Sequence, residues 1–66
     1  ITIHQYLIII RIEHAKQLLI NSDYSIENVA FCCGFYNVIY FRTIFKKSTG
    51  LTPTTFREYY GNQNTN

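Results

Sequence analysis

The sequence has few of the groups that catalysis or metal binding requires. It contains two histidines and four carboxylates in 66 residues, with no glycine-rich phosphate loop and no carboxylate pair at a useful spacing. No apolar run reaches the length of a membrane span, and the run at 7–10 lacks the flanks of a secretory signal. These absences argue against an enzyme and against any cofactor, and they favour a cytoplasmic protein.

Cysteine is also scarce, and the only two, Cys32 and Cys33, are adjacent. Neighbouring cysteines do not readily pair with each other, so no disulfide framework is expected. We expect one or both to be small packed side chains. Two alternatives stay open: a zinc site with His4 and His14, whose spacings fit poorly, and a redox-sensing thiol, although the sequence places no cation beside the pair.

Apolar and aromatic residues are sufficient for one small domain. Apolar residues make up 47% of the chain, including six tyrosines and five phenylalanines, so a thin core is expected near the lower size limit for unaided folding. The tail at 61–66 has no apolar residue and is predicted to be disordered. The chain begins with isoleucine, which suggests a piece of a longer protein.

The charge is unevenly distributed. The net charge is +2, which is weak support for nucleic-acid binding. Residues 1–39 hold two cations against three acids, a net of −1, whereas residues 40–66 hold four cations against one acid, a net of +3. The basic charge therefore gathers where a DNA-binding helix would need it.

A long first helix is predicted over residues 3–20, with no glycine or proline in its interior. Its apolar residues recur at spacings of three and four: Tyr6, Leu7, Ile10, Ala15, Leu18 and Leu19. Ile8 and Ile9 widen this surface, so they either join the core or contact another part of the protein. His14 is expected at the surface.

A helix-turn-helix is predicted next. Ser25 can cap a short helix, and Glu27 suits its first turn. Gly34 can close that helix with a positive φ, and the small Ala30 allows a second helix to cross closely.

The second helix of the motif should have two faces. Phe41 and Phe45 share the packed face, and the outward face carries four residues: Ile39, Arg42, Thr43 and Lys46. Gly50 is expected to end this helix in a left-handed conformation.

A closing helix should follow, with Thr52 as its cap and Pro53 at its first position. It is expected to run to about Tyr59, with Phe56 and Tyr60 packing back on the motif. The predicted fold class is therefore all-α, a small helix-turn-helix domain of about four helices. It comprises a long helix in 1–21, the helix-turn-helix unit in 22–50 and the closing helix in 51–60.

The sequence resembles the C-terminal part of the DNA-binding domain of AraC/XylS-type bacterial transcriptional regulators. The resemblance covers residues 6–60 and rests on combined spacing: Tyr6-Leu7, Arg11 to Lys16, Leu18-Leu19, Ser25-Ile26, Val29-Ala30, Gly34-Phe35, Tyr40-Phe41, Phe45-Lys46-Lys47, Gly50, Thr52-Pro53 and Phe56-Arg57. The resemblance implies sequence-specific binding of double-stranded DNA, with a recognition helix at about 37–47 in the major groove. It also implies a first helix-turn-helix and an N-terminal effector or dimerisation domain outside this sequence. RNA polymerase is a separate candidate partner, belonging to an alternative protein-interaction function.

The resemblance also implies which residues meet DNA. The base-facing positions fall on Val38, Ile39, Arg42 and Thr43, with Lys46 near the phosphates. Apart from the resemblance, Asn37 and Lys47 are further candidates for phosphate contact. Several alternatives stay open. Val38 could extend the packed face, Arg42 could be an ordinary solvated arginine, and the two lysines could serve only the helix dipole.

Two neighbouring positions and one further function also stay open. Tyr36 stands where the family usually has a small cap, so Asn37 could be the cap instead. Arg57 could pair with Glu58 as readily as with DNA. The alternative function is a protein-interaction module with an apolar patch formed by Ile8, Ile9, Val38 and Ile39.

Overall fold

Four α-helices follow one another in the computed structural model, which describes residues 1–61. They are α1 (Ile3–Asn21), α2 (Ile26–Cys32), α3 (Val38–Thr49) and α4 (Pro53–Phe56), and α4 continues as a π-helical segment over Arg57–Gly61. No strand occurs in this part of the chain, and none of its helices combines the length and apolar character needed to cross a bilayer. The predicted all-α class and helix order are confirmed.

The ends of the helices form where the local sequence predicts them. The Ser25 hydroxyl accepts a hydrogen bond from the Asn28 N–H (3.1 Å), and the Thr52 hydroxyl accepts one from the Thr55 N–H (3.2 Å). Gly50 ends α3 with a φ of 84°, a conformation that costs glycine no steric penalty. Local hydrogen bonding therefore fixes the boundaries of α2, α3 and α4.

A ladder of aromatic rings joins the helix-turn-helix to the closing helix. Ring centroids lie 5.1 Å apart for Phe35 and Phe41, 5.7 Å for Phe41 and Phe45, and 5.3 Å for Phe45 and Phe56. Tyr60 extends the ladder 4.5 Å from Phe56, as predicted. Because Phe41 and Phe45 are fully buried, one face of α3 is held in the core and the opposite face must point outward.

The buried face of α1 differs from the predicted one. The side chains that pack follow a spacing of four, three and four, namely Ile8 in part, then Ile12, Ala15 and Leu19. Three predicted packing residues are instead exposed by 40% or more: Tyr6, Leu7 and Ile10. The residues from Tyr6 to Ile12 are apolar except Arg11, so three-and-four spacing fits more than one face. The buried positions of α1 run from Ile12 to Leu19, and α1 contacts α2 and α4 together with the π-helical continuation of α4.

Arg57 anchors the closing helix to the end of α1. Its Nε donates to the Leu19 carbonyl (3.0 Å) and its Nη2 to the Ser22 carbonyl (3.2 Å). These carbonyls lie at a helix C-terminus, where a cation is favourable. Pairing with Glu58 is absent among the described residues, and two of the guanidinium donors are used within the fold.

The predicted tail begins one residue too early. Gly61 belongs to the π-helical segment, because the closing helix runs on past Tyr59. The rest of the predicted tail, residues 62–66, lies outside the described residues.

Candidate nucleic-acid interface

The turn between α2 and α3 sets the direction of α3 relative to α2. Gly34 has a φ of 92°, and its N–H donates to the Phe31 carbonyl (3.1 Å). The Phe35 N–H then donates back to the Ala30 carbonyl (2.9 Å). Phe35 and Ala30 are both buried. The predicted role of Gly34 is therefore confirmed, and Ala30 is buried as a close helix crossing requires.

Asn37 caps the start of α3. Its Oδ1 accepts hydrogen bonds from the N–H groups of Ile39 (2.8 Å) and Tyr40 (3.2 Å). The preceding Tyr36 is almost fully exposed and takes no part in the cap. Because the cap uses only the amide oxygen, the Asn37 amide NH₂ can still donate to an outside acceptor.

The outward face of α3 carries the four side chains that the helical period predicts. Ile39 is 70% exposed, and Arg42, Thr43 and Lys46 are also exposed. The Thr43 hydroxyl donates to the Ile39 carbonyl (3.0 Å), so its proton is used within the helix. Thr43 therefore presents a methyl group and acceptor lone pairs to the outside.

Arg42 lies beside an acid of the preceding helix. Its Nη2 is 4.0 Å from Glu27 Oε2, and the two side chains are 49% and 67% exposed. Surface ion pairs of this kind contribute about 0–1 kcal/mol. The contact is thus a weak restraint that leaves most of the guanidinium free to bind another partner.

The remaining predicted contact residues divide between surface and core. Lys46 and Lys47 are exposed in the last turn of α3 and form no ion pair among residues 1–61. Val38 is partly buried and packs against the core, which supports the alternative in which it extends the packed face. Its free side lines a shallow depression with Glu27, Phe31 and Tyr36.

A second surface feature is an open apolar groove between α1 and α3. Its lining includes Ile8, Ile9, Tyr40, Ile44 and Lys47. The patch proposed from sequence is therefore not one surface. Ile8 and Ile9 belong to this apolar groove, whereas Val38 lines the other depression and Ile39 stands on the outward face.

The two cysteines differ in exposure. Cys32 is exposed, whereas Cys33 is buried and its pKa is raised to about 11 by desolvation and, secondly, by the neighbouring Cys32. The packed-residue prediction is confirmed for Cys33. In the described part of the chain, no three metal-ligating side chains cluster.

This difference predicts selective alkylation. Iodoacetamide at pH 8 should modify Cys32 of the folded chain much faster than Cys33, because the thiolate is the reactive species and Cys33 is both buried and protonated. Peptide mass spectrometry over time measures both rates. In denaturant the two rates should become similar, and equal rates in the folded chain would contradict the burial of Cys33.

Two features of this surface were not predicted from sequence. The Arg11 side chain lies over the turn, with its Nε 3.1 Å from the place where a Cβ on Gly34 would stand. Glu27 was assigned only a helix-dipole role, but it also approaches Arg42. Each contact joins residues from different segments of the chain, so neither has a signal in local periodicity.

Helix α3 is capped by Asn37, is held in the core by aromatic packing, and follows a turn at Gly34. This arrangement defines a protein of the helix-turn-helix class. A family model described as a helix-turn-helix domain matches residues 1–59. The chain is 43% identical over 58 residues to the bifunctional transcriptional activator/DNA repair enzyme AdaA of Bacillus subtilis, covering 88% of this chain and 28% of that protein. It is 43% identical over 56 residues to the transcriptional activator RhaR of Salmonella newport, covering 85% of this chain and 20% of RhaR.

Solved structures agree with this likeness. The DNA-binding domain of AdpA, a global transcriptional factor crystallised with a target DNA, superposes with a TM-score of 0.88 at 35% identity, covering 94% of this chain and 56% of that one. The C-terminal domain of the response regulator yesN from Fusobacterium nucleatum gives a TM-score of 0.84 at 38% identity, over 86% of this chain and 55% of that one. The chain belongs to the AraC/XylS-type family of helix-turn-helix transcriptional regulators. It spans about a quarter of the curated relatives and about half of the solved domains.

Proposed function

We propose that the chain binds double-stranded DNA sequence-specifically as part of a bacterial transcriptional regulator, with α3 in the major groove. The observation that carries this proposal is the outward face of α3, whose residues are exposed while Phe41 and Phe45 hold the other face in the core. A helix fixed in this way can enter the groove without moving relative to the domain. The DNA complex of the related AdpA domain supports it.

The outward face has the chemistry to read bases. The Arg42 guanidinium can donate two hydrogen bonds to guanine O6 and N7, and the Ile39 and Thr43 methyl groups can contact a thymine methyl. Val38 contributes only its exposed edge, because it is partly buried. Sequence discrimination by α3 therefore depends chiefly on Arg42.

Phosphate contacts would hold α3 in register. Lys46 and Lys47 lie in its last turn, and the Asn37 amide NH₂ lies at its first. Contacts of this kind position a protein without reading sequence. Each neutralised phosphate adds about −0.9 to the slope of log K against log salt, so binding by this chain should weaken steeply with salt.

The whole regulator supplies more than this chain spans. We propose that a first helix-turn-helix and an effector or dimerisation domain belong to the parent protein, as the family resemblance implies, and that RNA polymerase is a further partner. We also propose that the parent protein acts in the cytoplasm, the compartment that holds bacterial DNA. With one recognition helix the present chain contacts few phosphates, so its own affinity should be low.

A protein-interaction function is the second candidate, and the apolar groove between α1 and α3 favours it. Ile8, Ile9 and Ile44 form much of its lining, and an exposed apolar surface can mark a contact site. A partner in the groove would not need Arg42, which lies on the outward face of α3. Substitution of Arg42 therefore separates the two functions.

The test is an Arg42→Ala substitution. A preferred site is first selected from randomised duplexes, and fluorescence anisotropy then gives the affinity for that site and for mixed-sequence DNA. Losing a bidentate guanine contact of about 1–3 kcal/mol should weaken binding to the selected site about 5- to 150-fold. The loss on mixed-sequence DNA should be smaller.

Lys16→Ala is the matched control, because it removes one positive charge from α1, where Lys16 pairs with Glu13 at 2.8 Å. It should leave both affinities nearly unchanged. Equal effects of Arg42→Ala and Lys16→Ala would contradict base reading by Arg42. Circular dichroism of each variant confirms that its helices are intact.

A further inference from the structure

A small cleft lies beside the start of α3, where α1 passes the helix-turn-helix turn. Its polar lining comes from His4 and Arg11 of α1 and from Tyr36, Asn37 and Tyr40. We call it the Arg11 cleft. Its volume is about 180 Å³, which is room for an anionic group. No carboxylate lines it.

Arg11 is the distinctive member of this lining. Its side chain is partly buried against the backbone of Gly34, with Nε 3.1 Å from the place of a Cβ there. It forms no ion pair with any carboxylate among the described residues. A cation that is partly removed from water is unfavourable without an opposite charge. The cleft therefore has an unmatched positive charge that an anion would neutralise.

The other lining groups can donate hydrogen bonds to the same anion. The Asn37 amide NH₂ is left free by the cap, which uses Oδ1, and Tyr40 of the lining carries a hydroxyl donor. Hydrogen bonds from a guanidinium to phosphate are among the stronger ones in proteins. Arginine, tyrosine and asparagine side chains commonly donate to phosphate oxygens, and such contacts position a protein on the duplex without reading its sequence.

We propose that the Arg11 cleft binds a backbone phosphodiester of the DNA on which α3 docks, with Arg11 as the principal ligand. This rests on the proposed function, and it adds α1 to a contact surface otherwise confined to α3 and its cap. The cleft adjoins α3 at Asn37 and Tyr40. The phosphate bound in the cleft would therefore flank the DNA major groove that the outward face of α3 enters. Arg11 thereby holds the recognition helix in register with the DNA backbone.

The first test compares Arg11→Gln with Lys16→Gln on the same helix. Salt titrations with mixed-sequence duplex DNA should show weaker binding by R11Q, equally for unrelated sequences, and a slope of log K against log salt reduced by about 1. K16Q should match the unmodified chain. A lower melting temperature for R11Q with an unchanged slope would overturn the proposal and leave Arg11 with a packing role only.

The second test needs no substitution. In ¹⁵N NMR spectra, a duplex should shift the Arg11 Nε–H resonance strongly and that of Arg57 weakly, because Arg57 Nε already donates to Leu19. Inorganic phosphate at equal phosphate concentration should shift Arg11 much less. An equal shift with inorganic phosphate and none added by DNA would overturn the DNA contact in favour of a free-anion site.

The two proposals fail separately. If Arg42→Ala leaves the preference among sequences unchanged while R11Q lowers the salt slope, base reading by α3 is wrong and the phosphate contact stands. If Arg42→Ala abolishes the preference and R11Q leaves the slope unchanged, base reading stands and the phosphate contact is wrong.

Discussion

Replacing Phe41 with alanine should destabilise the chain by about 3–5 kcal/mol, the usual cost of emptying a large aromatic site in a core. Phe41 is fully buried and lies between Phe35 and Phe45 in the aromatic ladder, with ring centroids 5.1 and 5.7 Å away. A 66-residue domain has a total stability of only about 3–10 kcal/mol at 0.05–0.15 kcal/mol per residue. The loss should therefore be between roughly a third of the total stability and all of it.

Urea denaturation followed by circular dichroism measures this loss. Ile39→Ala is the matched control, because Ile39 is on the same helix but 70% exposed, and surface changes usually stay within about 0.5 kcal/mol. A Phe41→Ala loss below about 1 kcal/mol would show that α3 is not held by the ladder. DNA binding should disappear with folding in Phe41→Ala, whereas Ile39→Ala should lose only its contact with a base.

Gly34→Ala should give the second-largest effect, a loss of about 2–3 kcal/mol. An alanine at a φ of 92° pays about 1–2 kcal/mol of steric strain, and its Cβ would also stand 3.1 Å from Arg11 Nε. The Arg11 side chain must then move away from the turn. Thermal unfolding of the variant measures the combined cost.

Gly50→Ala provides the matched control. Gly50 has a similar φ of 84°, but an added Cβ would meet nothing within 4 Å. Its cost should therefore be about 1–2 kcal/mol from backbone strain alone. Equal losses of stability in Gly34→Ala and Gly50→Ala would show that the Arg11 side chain moves away from Gly34 without a cost in free energy. A larger loss of stability for Gly34→Ala than for Gly50→Ala also predicts weaker DNA binding by Gly34→Ala, because the Arg11 side chain would leave its cleft.

Local signals predicted the helix ends well. Ser25, Thr52 and Gly50 each act through bonds or dihedral angles within three or four residues. Such features depend little on the rest of the fold. The same holds for the outward face of α3, because Phe41 and Phe45 fix its rotation.

Contacts between distant residues could not be read from the sequence. Arg57 meets Leu19 across 38 residues, and Arg11 meets Gly34 from a different helix. The exposed Tyr6, Leu7 and Ile10 illustrate the same limit. Helical spacing shows which residues share a face, but the position of the neighbouring helices decides which face is buried.

The assignment of DNA contact to residues of α3 is a proposal. The structure places Ile39, Arg42 and Thr43 on one exposed face, which agrees with the family resemblance. In the structure, Val38 is partly buried against the core and Asn37 caps α3.

The most direct measurement is a ¹H–¹⁵N NMR titration of the chain with a short duplex at low salt. If α3 is the recognition helix, the largest amide shifts should fall at 37–47, centred on Ile39, Arg42, Thr43 and Lys46, and they should fade as salt rises. Shifts confined to the groove residues Ile8, Ile9 and Ile44, or DNA binding with no shifts at 37–47, would contradict a DNA-binding role for α3.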